Sequence, residues 1–140
     1  MQEIVFTHAL TPEAYVGLRK KVGWSELTPG QAKRGLEHTT FLVSVKHNGD
    51  FVGMGRVLFD FGYTAYIGDI IVAPEYQGKG IGKEIVSRLM GKVMDAAEKG
   101  DNILFVLVAA KGKEKFYEKL GFHARPSDAE GPGMCTHITK

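Results

Sequence analysis

The run Gln77-Gly-Lys-Gly-Ile-Gly82-Lys83 collects the residue types that bind an anion through the main chain. Glycines at 78, 80 and 82 permit positive φ and let a ligand approach the backbone with no Cβ in the way. An apolar run (Ile67, Ile70, Ile71, Val72) stops at Pro74 just before it, and a helix-patterned segment begins just after. Strand, glycine turn and helix start, in that order, leave unpaired N–H groups at the positive end of a helix dipole. Lys79 and Lys83 add mobile positive charge beside them. The expected guest is a pyrophosphate; the competing reading is a tight strand-to-helix turn with no guest.

Elimination narrows the guest. A nucleoside-triphosphatase loop, G-x-x-x-x-G-K-[ST], fails because Gln77 stands where the first glycine belongs and Glu84 follows Gly82-Lys83. A dinucleotide fingerprint, G-x-G-x-x-G, fails because Gly78-x-Gly80 meets Lys83 at the third glycine position. What stands is Gln-x-x-Gly-x-Gly from Gln77 to Gly82, after Val72-x-Pro74-Glu75. This resembles the acyl-coenzyme A signature of the GNAT superfamily of N-acetyltransferases. A second stretch, Phe116-Tyr-Glu-Lys-Leu-Gly-Phe122, resembles that family's F-Y-x-K-x-G-F segment, and Phe116 follows Gly82 by 34 positions. That gap holds one helix and one strand. The resemblance covers residues 64 to 123 well and the N-terminal third only in its element order.

The resemblance implies a single-domain α/β fold over residues 1–140, with a mixed, mostly antiparallel sheet flanked by helices and a splayed pair of parallel central strands. It implies acetyl-CoA as acetyl donor and an amine as acceptor, with direct transfer in a ternary complex. Gln77, Gly78, Lys79, Gly80, Ile81, Gly82 and Lys83 would hold the pyrophosphate. The pantetheine would lie along Ile70, Ile71 and Val72 like an added strand, and the Val72 N–H would face the thioester oxygen. Tyr117, with Phe116 beside it, matches the tyrosine that protonates the departing thiolate, since a phenol with pKa of about 10 is a donor at neutral pH. From the helix pattern alone, Tyr117 reads equally as a core aromatic. A homodimer is plausible by family analogy. The alternative in another class is a non-catalytic acyl-CoA-binding module on the same fold.

An amine arrives as an ammonium and must lose a proton before it attacks, so a base is expected. Asp69, in the strand leading to the glycine turn, is the candidate; its other reading is a hydrogen-bond acceptor at a strand irregularity. Glu75, His123 and His137 are the lesser alternatives. Trp24, the one tryptophan, either walls an acceptor pocket or is ordinary packing. The family's asparagine six positions before Phe116 is Ala110 here, and the small residue three before it is Lys113. Lys111, Lys113 and Lys115 either approach a 3′-phosphate or form a solvated face.

These residues need elements to position them. Glu3 to His8 reads as a strand, and Thr11-Pro12 and Thr28-Pro29 open two helices carrying Tyr15, Leu18, Val22 and Ala32, Leu36. Phe41 to Lys46, Phe51 to Phe59 and Tyr63 to Val72 form a meander turned by Asn48-Gly49 and Asp60-Phe61-Gly62. Gly80 to Lys99 repeats apolar residues at 81, 85, 89 and 93, with 86, 90 and 94 beside them, and Gly100 should end the helix. Glu84–Arg88 and Asp95–Lys99 are i,i+4 pairs. Ile103 to Val108 is unbroken apolar sequence, predicting a strand buried on both faces and parallel to the one ending at Val72. Lys113 to Leu120 reads as a short helix and Met134 to Thr139 as a last strand.

Composition bounds the rest. At 140 residues, 44% hydrophobic and 24% charged, the chain reads as one globular domain. No apolar run is long enough to span a bilayer, and the N-terminus lacks signal-peptide architecture, so no membrane partner is expected. A net charge of +2 gives no reason to expect nucleic acid. The single Cys135 fits a reducing cytoplasm, and the five histidines show no metal-ligand spacing, so no metal is expected.

Overall fold

The structure, a computed structural model, describes residues 3–140. The chain forms two compact units, one ending at Leu107 and the other running Val108–Lys140. Among the described residues the first unit holds five strands and three α-helices: β1 (Val5–Thr7), α1 (Pro12–Lys21), α2 (Pro29–Glu37), β2 (Phe41–His47), β3 (Asp50–Phe59), β4 (Thr64–Val72), α3 (Ile81–Ala96) and β5 (Leu104–Val106). A 3-10 turn, Pro74–Tyr76, joins β4 to the glycine run. The second unit holds α4 (Glu114–Glu118).

The sheet order is β1-β2-β3-β4-β5, antiparallel except for the parallel β4–β5 pair. Local chemistry sets each turn. Asn48 (φ 52) and Gly49 (φ 80) both take positive φ, as a two-residue hairpin that matches strand twist requires. At the next turn Asp60 Oδ1 accepts from the N–H groups of Gly62 (2.8 Å) and Thr64 (3.1 Å), which lets Phe61 sit at φ 62. Thr11 and Thr28 cap α1 and α2 through bonds from the Ala14 and Gln31 N–H groups, each 3.1 Å.

Helices cover both faces of the sheet, and β3 shows why. Successive strand residues point to opposite faces. Met54 packs with Tyr15, Leu18 and Ala32 of the α1–α2 layer and with Ile71. Gly55 faces α3: a Cβ there would lie 2.5 Å from Ile85 Cγ2, 2.6 Å from Ile70 Cδ1 and 3.0 Å from Leu89 Cδ1. Gly55 also sits where two residues of β4, Asp69 and Ile70, oppose one of β3, because Met54 pairs with Ile71 while Arg56 pairs with Gly68. Gly55→Ala should therefore lower stability by about 1–3 kcal/mol through overpacking, with an unchanged urea m-value. An unchanged urea midpoint would mean that α3 and Ile70 yield freely.

Several boundaries differ from the sequence reading. The long helix stops at Ala96 rather than Gly100, so Asp95 and Lys99 do not share a helix, whereas Arg88 Nε does reach Glu84 at 2.8 Å. Along α3, Ile81, Ile85, Val86, Leu89 and Val93 are buried, but Met94 is half exposed. The apolar run at 103–108 yields only three strand residues, and Leu104 is exposed. β5 is the edge of the described sheet, so the parallel pair lies at its end rather than its centre. Residues 134–139 form no strand; Met134 and Ile138 are exposed, and an alternating pattern becomes a strand only when a partner and a buried face exist.

Candidate functional site

β4 carries the chain to the glycine turn and changes character on the way. Its first residues, Thr64, Ala65 and Tyr66, pair with Leu104, Phe105 and Val106. β5 ends at Val106, so among the described residues Ile67–Val72 has a strand partner on the β3 side alone. Ile70, Ile71 and Val72 thus lie on a half-strand whose other edge carries main-chain groups suited to pairing with an extended ligand. The Val72 carbonyl accepts from Gln77 Nε2 at 2.9 Å, which ties the start of the glycine run back to the strand.

Gly78 (φ 78) and Gly80 (φ 82) are both left-handed, and a Cβ on either would meet nothing within 4 Å. Glycine is therefore required by backbone conformation rather than by crowding, and the space above both stays open. Gly80 is the N-cap of α3 and supplies no side-chain cap, so the first N–H groups of the helix, on Ile81, Gly82 and Lys83, lack that partner. Gln77, Gly78, Lys79, Gly80 and Lys83 are exposed, and Lys79 Nζ lies 5.5 Å from the Tyr76 ring centre. The turn is open, not sealed by its own side chains. It has the form of a main-chain anion site.

Asp69 sits at the bulge with φ 52, a conformation that aspartate tolerates better than most residues. Its carboxylate accepts from Tyr15 Oη (2.5 Å), Arg19 Nη1 (2.9 Å) and Arg56 Nε (2.7 Å). Of the two sequence readings, the geometry is that of the acceptor at a strand irregularity. Two guanidiniums and a phenol occupy the carboxylate, which is thus already engaged as a hydrogen-bond acceptor. Burial, and then the bond to Asp69, push the Tyr15 phenol up to about 12. Burial opposes the charge of Arg56, but its bonds to Asp69 and Tyr15 hold its pKa above the usual value.

This clamp borders a cavity of about 320 Å³ between α1, α2, β3 and β4, lined by Tyr15, Arg19, Gln31, Arg56, Tyr66 and Asp69 among others. Trp24 does not line it. The tryptophan is half-buried and packs against the cluster of Tyr15, Leu18, Ala32, Met54 and Ile71, under Arg19 at 5.6 Å. Sequence reasoning missed Tyr15, Arg19 and Arg56. One signal was available: Arg56 is the lone charge between Phe51 and Phe59 in an apolar strand, and such a charge needs a partner.

The raised phenol gives a testable pH effect. A folded-state pKa above the unfolded one contributes stability that is complete below the unfolded value, near 10, and is lost as pH rises through about 12. Wild type should therefore lose more stability than Tyr15→Phe across that window. Urea unfolding of both proteins at stepped pH checks it; parallel losses would contradict it.

In the second unit, Tyr117 lies on α4, with its ring 4.9 Å from Phe116 and 6.0 Å from Phe122, both edge-on. Gly121 (φ 100) turns the chain so that the Phe122 N–H reaches the Tyr117 carbonyl at 3.1 Å. The motif residues of this segment thus form one local cluster. Lys111, Lys113 and Lys115 are exposed.

A mixed open sheet with helices on both faces and a bare helix start at a strand end defines an α/β protein. The profile of the acetyltransferase (GNAT) family matches residues 7–122, and the chain belongs to that family. It is similar to the uncharacterized N-acetyltransferase ycf52 of Porphyra purpurea, 32% identical over 114 residues that cover 79% of this chain and 63% of that protein. It is similar also to GCN5-related N-acetyltransferase 2, chloroplastic, of Arabidopsis thaliana, 29% identical over 154 residues covering 94% and 58%. The chain thus spans about three-fifths of the length of these curated relatives. Among solved structures, a Staphylococcus aureus protein of unknown function named a probable acetyltransferase superposes with a TM-score of 0.86 at 30% identity, covering 97% of this chain and 100% of that one. Among the described residues no helix is long and apolar enough to cross a membrane.

Proposed function

We propose that this chain is an N-acetyltransferase that passes acetyl directly from acetyl-CoA to a primary amine in a ternary complex. The observation that carries the reading is the uncapped start of α3, reached through two left-handed glycines with open space above them. Coenzyme A presents a pyrophosphate, and this turn offers unpaired N–H groups, a helix dipole, Lys79 and Lys83. The one-sided half of β4 suits the amide-bearing pantetheine. Acetyl-CoA supplies the acyl group as a thioester. Val72 would present an N–H to the oxygen on which negative charge gathers, and Tyr117, by its motif, would donate the proton that the thiolate needs. The base function assigned to Asp69 from sequence is not carried into this proposal, because its carboxylate is engaged. A single cysteine, Cys135, supports a reducing compartment, the cytoplasm in this reading.

Two measurements test this. Coenzyme A and acetyl-CoA should raise the melting temperature where ATP and NAD do not, and coenzyme A release should appear with at least one member of an amine panel. Binding without release from any amine would favour a non-catalytic acyl-CoA-binding module; no binding would remove both readings. Tyr117→Phe should lower kcat on the order of ten- to a thousandfold with acetyl-CoA affinity nearly intact. Unchanged kcat would leave Tyr117 a packing residue of its aromatic cluster.

A further inference from the structure

The cavity at the bulge carries an unbalanced charge. Its charged lining groups are Arg19, Arg56 and Asp69, two guanidiniums against one carboxylate. The arginine side chains are only 13% and 20% exposed, so solvent screens the surplus positive charge weakly. Arg19 spends Nη1 on Asp69 and Nε and Nη2 on the Ser25 carbonyl, which fixes its plane. Arg56 spends Nε on Asp69 and Nη1 on Thr39 Oγ1 (3.1 Å) and the Gly35 carbonyl (3.5 Å). A guanidinium has five N–H donors; Arg56 also bonds Tyr15, and among the described residues its Nη2 pair has no carboxylate or carbonyl acceptor. Tyr15, kept neutral by burial and by its bond to Asp69, supplies no second negative charge.

We infer that the acceptor taken by this cavity is an amine that also carries an anionic group, a carboxylate or a phosphate, received by Arg56 and Arg19; this rests on the acetyl-transfer reading. An amine without such a group brings only its ammonium toward an excess of positive charge, which disfavours it. An anionic group cancels the surplus and meets a fork-shaped donor already held in place. The cavity volume, about 320 Å³, suits a small molecule of this kind.

The test uses matched pairs: β-alanine against propylamine, and phosphoethanolamine against ethanolamine. Each is titrated calorimetrically into protein saturated with coenzyme A. At least one anionic member should bind about tenfold or more tightly than its neutral-tailed partner, and the pair that shows it separates carboxylate from phosphate. Equal affinity within both pairs, or binding by no member, overturns the inference while leaving acetyl transfer standing as long as coenzyme A binds. If coenzyme A fails to bind, the acetyl-transfer reading falls. The pairs are then titrated into the free protein, where equal affinity or no binding still overturns the anion site. Arg56→Gln should abolish the preference, but it also loosens the Asp69 clamp. Leu58→Glu is the second variant: Leu58 lines the cavity, is 42% exposed and takes no part in the clamp's hydrogen bonds. It cancels the surplus charge and should abolish the preference with the circular dichroism spectrum unchanged, and a preference that survives it overturns the assignment.

Discussion

Gly80→Asp should abolish coenzyme A binding while leaving the protein folded. The substitution puts a carboxylate at the N-cap of α3, among the N–H groups that have no side-chain cap. Folding should tolerate it, because a Cβ at Gly80 meets nothing within 4 Å and aspartate, itself a good N-cap, accepts a left-handed backbone better than most residues. Binding should not. At an effective dielectric of about 20, two like charges about 5 Å apart repel by roughly 3 kcal/mol, on the order of a hundredfold in affinity. The new carboxylate would also satisfy the amides that the pyrophosphate needs. Gly80→Ala is the control, carrying the φ penalty of about 1–2 kcal/mol without the charge. Calorimetric titration of coenzyme A into both variants reads the difference. Wild-type affinity in the Gly80→Asp variant would show that the phosphates rest elsewhere.

Asp69→Ala should cost about 3–5 kcal/mol, a large part of the roughly 5–15 kcal/mol that holds a domain folded. The cost comes from what is left behind. Arg19 and Arg56 would keep their charges in a site where the Asp69 side chain is only 11% exposed, and Tyr15 would lose its acceptor. Alanine at φ 52 adds backbone strain. Asp69→Asn keeps the shape and the tolerance for that φ but not the charge, so its loss should be intermediate. Urea unfolding gives both values, and a loss below about 1 kcal/mol for Asp69→Ala would mean that the arginines find water or other partners. The asparagine variant also settles the base question. Measured where it is folded, its kcat should keep the wild-type pH profile; loss of the limb that reports a deprotonating group would return Asp69 to catalysis.

The parts of this protein legible in its sequence are those fixed by short-range chemistry. Asn48-Gly49 announces its hairpin because few other pairs hold positive φ twice running. Thr11-Pro12 and Thr28-Pro29 announce helix starts, and the glycine run announces an open helix N-terminus. The clamp was not legible, because its members lie far apart in the chain and a bulge brings them together. Nothing local marks Asp69 as left-handed. Its charge suggested reactivity, whereas Arg19 and Arg56 make it a fixed anchor. The position of Trp24 was not legible for a related reason, since size and rarity say nothing of which side of a core an indole covers. The run at 103–108 is apolar enough for a buried strand, yet strand length depends on a neighbour, and the pairing of β4 with β5 ends at Tyr66.

The extra residue in β4 makes this strand's length a fixed quantity. Side chains alternate faces with a period of two, so the bulge opposite Gly55 advances the alternation by one between Gly68 and Ile71. Losing one residue there would turn Asp69 or its replacement away from the arginines, or swing Ile71 out of its core and misdirect the chain entering Pro74. Descendants of this sequence can therefore exchange residues along the strand far more readily than they can lose or gain one.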